Sequence, residues 1–302
     1  MNDTRGADDV LVRGIAWGGG LRAFAARTTR LAGELQRRHG TYPTATAALG
    51  RAATAGAMMG AMLKGDERLT VQIKGDGPLG QIVVDANASG EVRGYVDNPQ
   101  VHLPSNAQGK LDVAGAVGRN GYLYVVKDLG LKEPYRGSVP IVSGELGEDF
   151  TYYFASSEQT PSAVGLGVLV EPDGGVRHAG GFILQLMPGV EEKDIARLEQ
   201  RLKEMPQLTS LLDRGETPES ILRYLTDGDV QILDSMPIAF KCQCSRDRVE
   251  RTLVSMGEEE LQALIEEDGR AEVTCHFCNS AYEFDRDELV GLLEQARSKK
   301  HT

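Results

Sequence analysis

All four cysteines of the 302-residue chain fall between positions 242 and 278, as Cys242-Gln243-Cys244 and, thirty residues later, Cys275-His276-Phe277-Cys278. Two tight thiol pairs at this separation can close as one tetrahedral set of soft ligands around a single Zn²⁺. The first pair has one intervening residue where two to four are usual, which strains the chelate. Two readings of this metal site stand side by side. In one, the zinc is purely structural. In the other, it is part of a redox switch: metal-held cysteines stay as thiolates, the form that attacks oxidants, and a sulfenic acid condenses with a neighbouring thiol to a disulfide. Disulfides are poor zinc ligands, so oxidation would eject the metal. Both readings make the ion dominate local stability. A module of this size gains only about 3–5 kcal/mol from its core, against an apparent 10–16 kcal/mol or so for a structural zinc. An alternative from the enzyme class is a thiol–disulfide oxidoreductase using the Cys275–Cys278 pair; the missing βαβ context counts against it.

The remaining chemical candidates are weaker. His276 could bind metal, but four thiolates already fill the shell, which leaves it a solvent-facing or supporting place. His39, His102, His178 and His301 are dispersed and carry no assignment. Gly75-Asp76-Gly77-Pro78-Leu79-Gly80 matches a dinucleotide fingerprint, with Asp97 about twenty residues on. That fingerprint must open a helix, whereas Gln81-Ile82-Val83-Val84 reads as strand, so a hairpin turn is expected. Ser157–Ser162 reads as a polar loop or cap, and Gly18-Gly19-Gly20 as a flexible loop. No Walker A, G-x-S-x-G or H-E-x-x-H pattern occurs. No catalytic constellation emerges, and the chain is not expected to be an enzyme.

Charge narrows the partners. The net −11 is uneven: residues 1–188 hold 18 Lys+Arg against 19 Asp+Glu, and residues 189–302 hold 15 against 25. The cysteine-bearing third is thus the acidic third, and phosphate would repel it. The first ten residues lack a basic segment followed by an apolar run, so no signal peptide is expected. The stretch Ala45–Leu63 is rich in Ala, Gly and Met and is broken by Arg51. It reads as a buried helix rather than a membrane span. A reducing cytoplasmic location follows as the expectation, with the sequons at Asn2 and Asn87 without meaning there.

These sites need elements to hold them. Thr28 or Thr29 can cap a helix carrying Leu31 and Leu35, ended by Arg37, Arg38, His39 and Gly40. Pro43-Thr44 opens the Ala/Gly/Met helix, closed by Gly65, its small residues permitting close backbone packing. Strands are predicted at Leu69–Ile73, Gln81–Asp85, Glu91–Val96, Tyr122–Val126, Phe150–Ala155, Gly165–Val170 and Phe182–Leu186, several joined by Gly/Asp/Pro turns. The fold class is therefore α+β: a mixed helix and antiparallel-sheet core over residues 1–180, a helical linker over 181–230, and a small four-cysteine zinc-binding domain over 231–302. In the linker, Ile195, Leu198 and Leu202 share a face, Pro206 interrupts, and Thr217-Pro218 starts a further helix. In the last domain Ser245 caps a helix stopped by Gly257, and Glu258–Asp268 forms a second. A knuckle spans Cys275–Cys278, and Asp285 with Glu288 boxes the final helix.

Arg37-Arg38-His39-Gly40-Thr41, Ala48-Leu49-Gly50-Arg51, Gly75–Gly80, Ser157–Ser162, Gly180-Gly181-Phe182-Ile183-Leu184-Gln185 and the C-x-C…C-x-x-C module together resemble the heat-shock protein 33 family over essentially the full length. The resemblance implies a redox-regulated bacterial holdase chaperone. It further implies zinc on Cys242, Cys244, Cys275 and Cys278 in a reduced, inactive state, and disulfides Cys242–Cys244 and Cys275–Cys278 in the active one. Unfolded client proteins are the implied partners, and the active form commonly dimerises. Nucleic acid and membrane are not expected partners. The linker's apolar faces, with Leu211 and Leu212, must be covered when reduced; if the zinc module is part of that cover, oxidation uncovers them.

Overall fold

A computed structural model describes residues 8–299; the Asn2 sequon, the first seven residues and His301 lie outside that range. The chain separates into two compact units, dividing between Lys241 and Cys242. In order, the first unit contains β1 (Val10–Ala16), β2 (Leu21–Arg27), α1 (Thr29–His39), α2 (Pro43–Gly60), β3 (Arg68–Lys74), β4 (Gln81–Asn87) and β5 (Glu91–Val96). It continues with α3 (Val113–Val117), β6 (Tyr122–Asp128), β7 (Tyr135–Pro140), α4 (Leu146–Ser156), β8 (Ser162–Val170) and β9 (Val176–Leu186). Three helices follow, α5 (Glu192–Glu204), α6 (Leu208–Asp213) and α7 (Pro218–Leu225), then β10 (Gln231–Pro237) and β11 (Ala239–Phe240).

Two sheets form this unit, ordered β10-β1-β2-β9-β8 and β11-β5-β4-β3-β6-β7. Every pairing is antiparallel except that of β11 with β5. Helix α2 lies in the main core, packed against strands of both sheets. Its small residues allow this, as the sequence predicts. A Cβ on Gly56 would sit 2.7 Å from Val84 Cγ1, and one on Gly60 would sit 2.8 Å from the Asn87 carbonyl oxygen. Among the described residues no helix is long and apolar enough to cross a membrane.

The five-stranded sheet is apolar on both faces. Leu11, Phe24 and Ile183 point into the main core. The alternate residues Val12, Leu21, Ala23, Ala25, Phe182 and Leu184 are covered by Leu198, Leu208, Leu212, Ile221, Leu222 and Leu225 of α5, α6 and α7. Within this unit the linker's apolar side is therefore covered by the sheet itself. Polar ties reinforce it: Arg197 and Arg201 pair with Asp227, and Asp213 meets Arg177 at 2.7 Å and His178 at 3.1 Å. Compact packing thus keeps residues 181–241 with the core, because β9 runs through position 180 and β10 pairs with β1.

Several local expectations change. Phe150–Ala155 is helix, not strand: Leu146, Phe150, Tyr153 and Phe154 are fully buried at helical spacing, and that spacing outweighs the β preference of the aromatics. Helix α1 begins at Thr29, but no threonine caps it. Asp9, twenty residues upstream, accepts from Arg30 N at 3.0 Å and Leu31 N at 2.7 Å. Helix α2 ends at Gly60 rather than Gly65. Trp17–Gly19 form one tight left-handed turn between β1 and β2, with φ of 53°, 60° and 97°, closed by Gly20 N to Trp17 O at 3.0 Å, rather than a loose loop. Gly75–Gly80 is the β3–β4 turn and opens no helix, as predicted.

The second unit holds α8 (Arg246–Met256), α9 (Glu258–Glu267), a hairpin of β12 (Ala271–Thr274) with β13 (Ala281–Phe284), and α10 (Arg286–Lys299). Eight buried apolar residues, among them Leu253, Leu261, Phe284 and Leu289, form its core.

Candidate metal centre

Two short irregular segments carry the thiols. Cys242 and Cys244 lie between β11 and α8. Ser245 Oγ accepts from Arg248 N at 3.3 Å and starts α8, while Arg248 Nη1 donates to Gln243 O at 3.3 Å and folds the segment back. Cys275 and Cys278 form the knuckle between β12 and β13. There Cys275 N donates to Ser280 O (2.9 Å) and Asn279 N to Cys275 O (2.8 Å). Asn279 closes the turn at φ 58°, a left-handed conformation that Asn tolerates. The box predicted for the last helix is present, with Asp285 N to Glu288 Oε2 at 3.0 Å and Glu288 N to Asp285 Oδ1 at 2.9 Å.

The four sulfurs lie within 4.8 Å of one another. Across the two arms, Cys242 lies 3.7 Å from Cys275 and Cys244 lies 3.3 Å from Cys278. Both far exceed the roughly 2.05 Å of an S–S bond. Cys278 is buried and the other three are half-buried. The Tyr282 hydroxyl donates to Cys244 Sγ at 3.1 Å, and the Ser280 hydroxyl lies 3.3 Å from Cys278 Sγ. His276 is exposed and does not join the cluster. His102 instead meets Thr44, and His178 meets Asp213.

Crowding separates the thiols electrostatically. Burial, then the neighbouring sulfurs, push Cys244 up to about 12 against the Tyr282 hydrogen bond, and burial likewise raises Cys275. For Cys278 burial also opposes ionisation, but contacts with Ser280, Cys244 and Cys275 outweigh it and bring the thiol down to about 7. The Tyr282 hydroxyl is pushed up to about 12, first by its bond to Cys244. Four thiolates this close repel one another, so a full set of anionic sulfurs needs a cation among them. The arrangement could hold a metal ion. A tetrahedron of sulfurs at about 2.3 Å from zinc has edges of about 3.8 Å, close to the separations here.

Sequence reasoning missed two features with structural roles. Glu158, in the Ser157–Ser162 loop, accepts from Lys127 Nζ at 2.5 Å and Tyr153 OH at 3.0 Å. Asp9 sits where no local pattern marks a cap.

Comparison with known proteins places this geometry in context. The family model described as Hsp33 protein matches residues 9–285. A protein named 33 kDa chaperonin from Geobacillus kaustophilus is 59% identical over 292 residues, covering 96% of this chain and 99% of that protein. The protein of the same name from Bacillus subtilis is 58% identical over 287 residues, covering 95% and 99%. Among solved structures, the 33 kDa chaperonin (heat shock protein 33 homolog) of Thermotoga maritima superposes with a TM-score of 0.91 at 38% identity, covering 96% of this chain and 99% of that one.

Proposed function

Because the chain belongs to the Hsp33 family, we propose that it is a redox-regulated, ATP-independent holdase chaperone, inactive while Cys242, Cys244, Cys275 and Cys278 hold zinc. The observation that carries this reading is the convergence of the four sulfurs in a module whose apolar core, among the described residues, is a cluster of eight buried side chains. Bound zinc would keep the sulfurs as thiolates and cross-link the two arms.

The residues do the rest. A cysteine thiolate attacks peroxide, forming a sulfenic acid and releasing hydroxide, which takes up a proton as water. A neighbouring thiol then displaces a second water from that sulfur and forms the disulfide. Each disulfide thus consumes one peroxide, which is reduced as two thiols are oxidised. We assign the pairs Cys242–Cys244 and Cys275–Cys278, following the family resemblance; each requires a rotation within its own arm. Once oxidised, the sulfurs cannot hold the metal, and a core worth about 3–5 kcal/mol cannot keep the module folded alone.

The chain offers a route by which this loss reaches the linker. Lys241, the residue before Cys242, donates from its N to Val92 O at 3.0 Å, and β11 adds only two residues to its sheet. Loosening there acts next on β10, and then on the helices that precede it. Releasing α5, α6 and α7 would expose the outer face of the five-stranded sheet, with Val12, Leu21, Phe182 and Leu184. Apolar patches of this kind bind other apolar chains. The acidic last third would keep the opened state soluble. We propose a cytoplasmic, non-enzymatic protein whose oxidised form dimerises and binds unfolding clients, not nucleic acid or membrane. The Cys275–Cys278 pair lies in a β-hairpin knuckle, which supports this over the oxidoreductase alternative.

Light scattering of a heat-denaturing client tests the reading. Peroxide-oxidised, zinc-free protein should suppress aggregation stoichiometrically without ATP, and the reduced form should not. No suppression after full oxidation would sink the proposal, and catalytic turnover of a disulfide substrate would favour the oxidoreductase.

A further inference from the structure

Strand β8 is an edge, and its outward backbone faces a groove. In the antiparallel pairing with β9, Leu186 N donates to Pro161 O, so the odd-numbered residues of β8 are the ones hydrogen-bonded to β9. The even-numbered residues point away. Two contacts agree with this parity. Val164 N donates outward to Thr151 Oγ1 at 3.1 Å. Ala179, opposite Val168, turns both its backbone groups to the far side, to Thr28 N and Thr29 Oγ1. Beyond Val164 the outward N–H and C=O groups of Leu166 and Val168 have no protein partner among the described residues. The Val168 side chain itself packs into the main core. Unpaired backbone groups facing an open groove make this stretch a template for one more strand.

The groove along it encloses about 500 Å³. Residues 166–170 form its floor, Arg51 and Lys110 stand on one wall, and Gln207 and Thr209 at the start of α6 stand on the other. No acidic residue lines it, although the chain carries 44. The Arg51 Nε–H, moreover, is buried without a partner while Nη1 meets Glu145 at 2.6 Å. Walls on both sides admit a single strand, not the flanked edge of a second copy.

We propose that the open edge of β8 receives an extended segment of an unfolded polypeptide as an added strand. The fitting segment alternates apolar with polar residues and carries a carboxylate for Arg51 and Lys110. This gives the client-binding role of the preceding section a backbone-directed site, and it rests on that reading. Main-chain hydrogen bonding is indifferent to sequence, which suits a protein that must hold many different chains. Helix α6 forms one wall, so release of the linker widens access to the same edge.

The test uses the full chain, reduced and peroxide-oxidised. The probe is a fluorescein-labelled, acetylated Val-Glu-Val-Thr-Val peptide, beside its form N-methylated at alternate amides on one edge. Anisotropy and amide exchange over residues 162–170 are the readouts. The expected result is binding to the oxidised form, exchange protection at Leu166 and Val168 of at least about tenfold, and a loss of affinity of at least about tenfold on N-methylation. Val168→Pro removes the outward donor and leaves the β9 ladder intact, and should weaken binding similarly; the N-methylated peptide serves if that variant does not fold. Equal binding of the two peptides, or protection appearing without peptide as the protein dimerises, overturns the proposal. A parallel aggregation assay separates the two ideas. Suppression without protection at β8 removes the edge site alone, whereas protection without suppression keeps the edge site and removes the holdase reading.

Discussion

Truncating Leu222 should open the linker without any oxidant. This side chain is fully buried in the layer between α7 and the outer sheet face, alongside Ile221 and Leu225. Leu222→Ala removes its packing and leaves a cavity, at a cost of about 2–5 kcal/mol. Helix α7 has eight residues and no independent stability. A loss near 3 kcal/mol therefore falls on the local opening of the linker and raises its open population on the order of 100-fold. Native-state amide exchange over residues 208–225 measures that opening. Light scattering with a heat-denaturing client, on fully reduced protein, measures its consequence. Exchange should accelerate about 100-fold, and the reduced variant should suppress aggregation that the reduced parent does not. Leu233→Ala, at a position 56% exposed on β10, should change either readout little and serves as the control. If exchange accelerates and the reduced variant still protects no client, the sheet face beneath α7 is not the client surface.

Other consequences are smaller and independent. Gly60→Ala should destabilise the first unit by about 1–3 kcal/mol in chemical denaturation, because the new Cβ meets the Asn87 carbonyl at 2.8 Å; helix propensity alone predicts a gain. Thr217→Ala should cost about 1 kcal/mol of α7 stability, read by exchange, through loss of the reciprocal cap with Ser220. Burial raises Asp9 from 3.8 to about 6, against its backbone bonds to Leu31 and Arg30. Because the folded state holds this proton more tightly, the stabilisation is complete below pH 4 and is lost as pH rises through 6, about 3 kcal/mol in all. The pH dependence of unfolding compared with Asp9→Asn checks it, and parallel curves across that window would contradict the assignment.

What the sequence disclosed and what it hid follow from range. The cysteine pairs, the Ser245 cap, the Asp285–Glu288 box and the Gly75–Gly80 turn are written in a few adjacent residues, and each stands in the structure. Strands β1 and β2 went unseen because Gly, Ala and Arg interrupt the usual β-branched pattern in VLVRGIA and LRAFAAR. The aromatic run of α4 carried strand propensity until burial at helical spacing decided otherwise. The Asp9 cap and the pairing of β1 with β10 join residues 20 and more than 200 positions apart, and no local period reports them. Most consequential is the double-sided sheet. Its outer face is as apolar as its inner one, and no local period tells which elements, here the linker helices, cover it.

One sample followed through oxidation bears most directly on the central claim. Zinc, reactive thiols and amide exchange over residues 246–299 should be measured together as peroxide is added to reduced protein under mild warming. The account predicts release of about one zinc per chain together with loss of all four thiols and collapse of exchange protection in that module, while strands β3, β4 and β6 stay protected. Complete loss of zinc and thiols from a module that keeps its protection would contradict it.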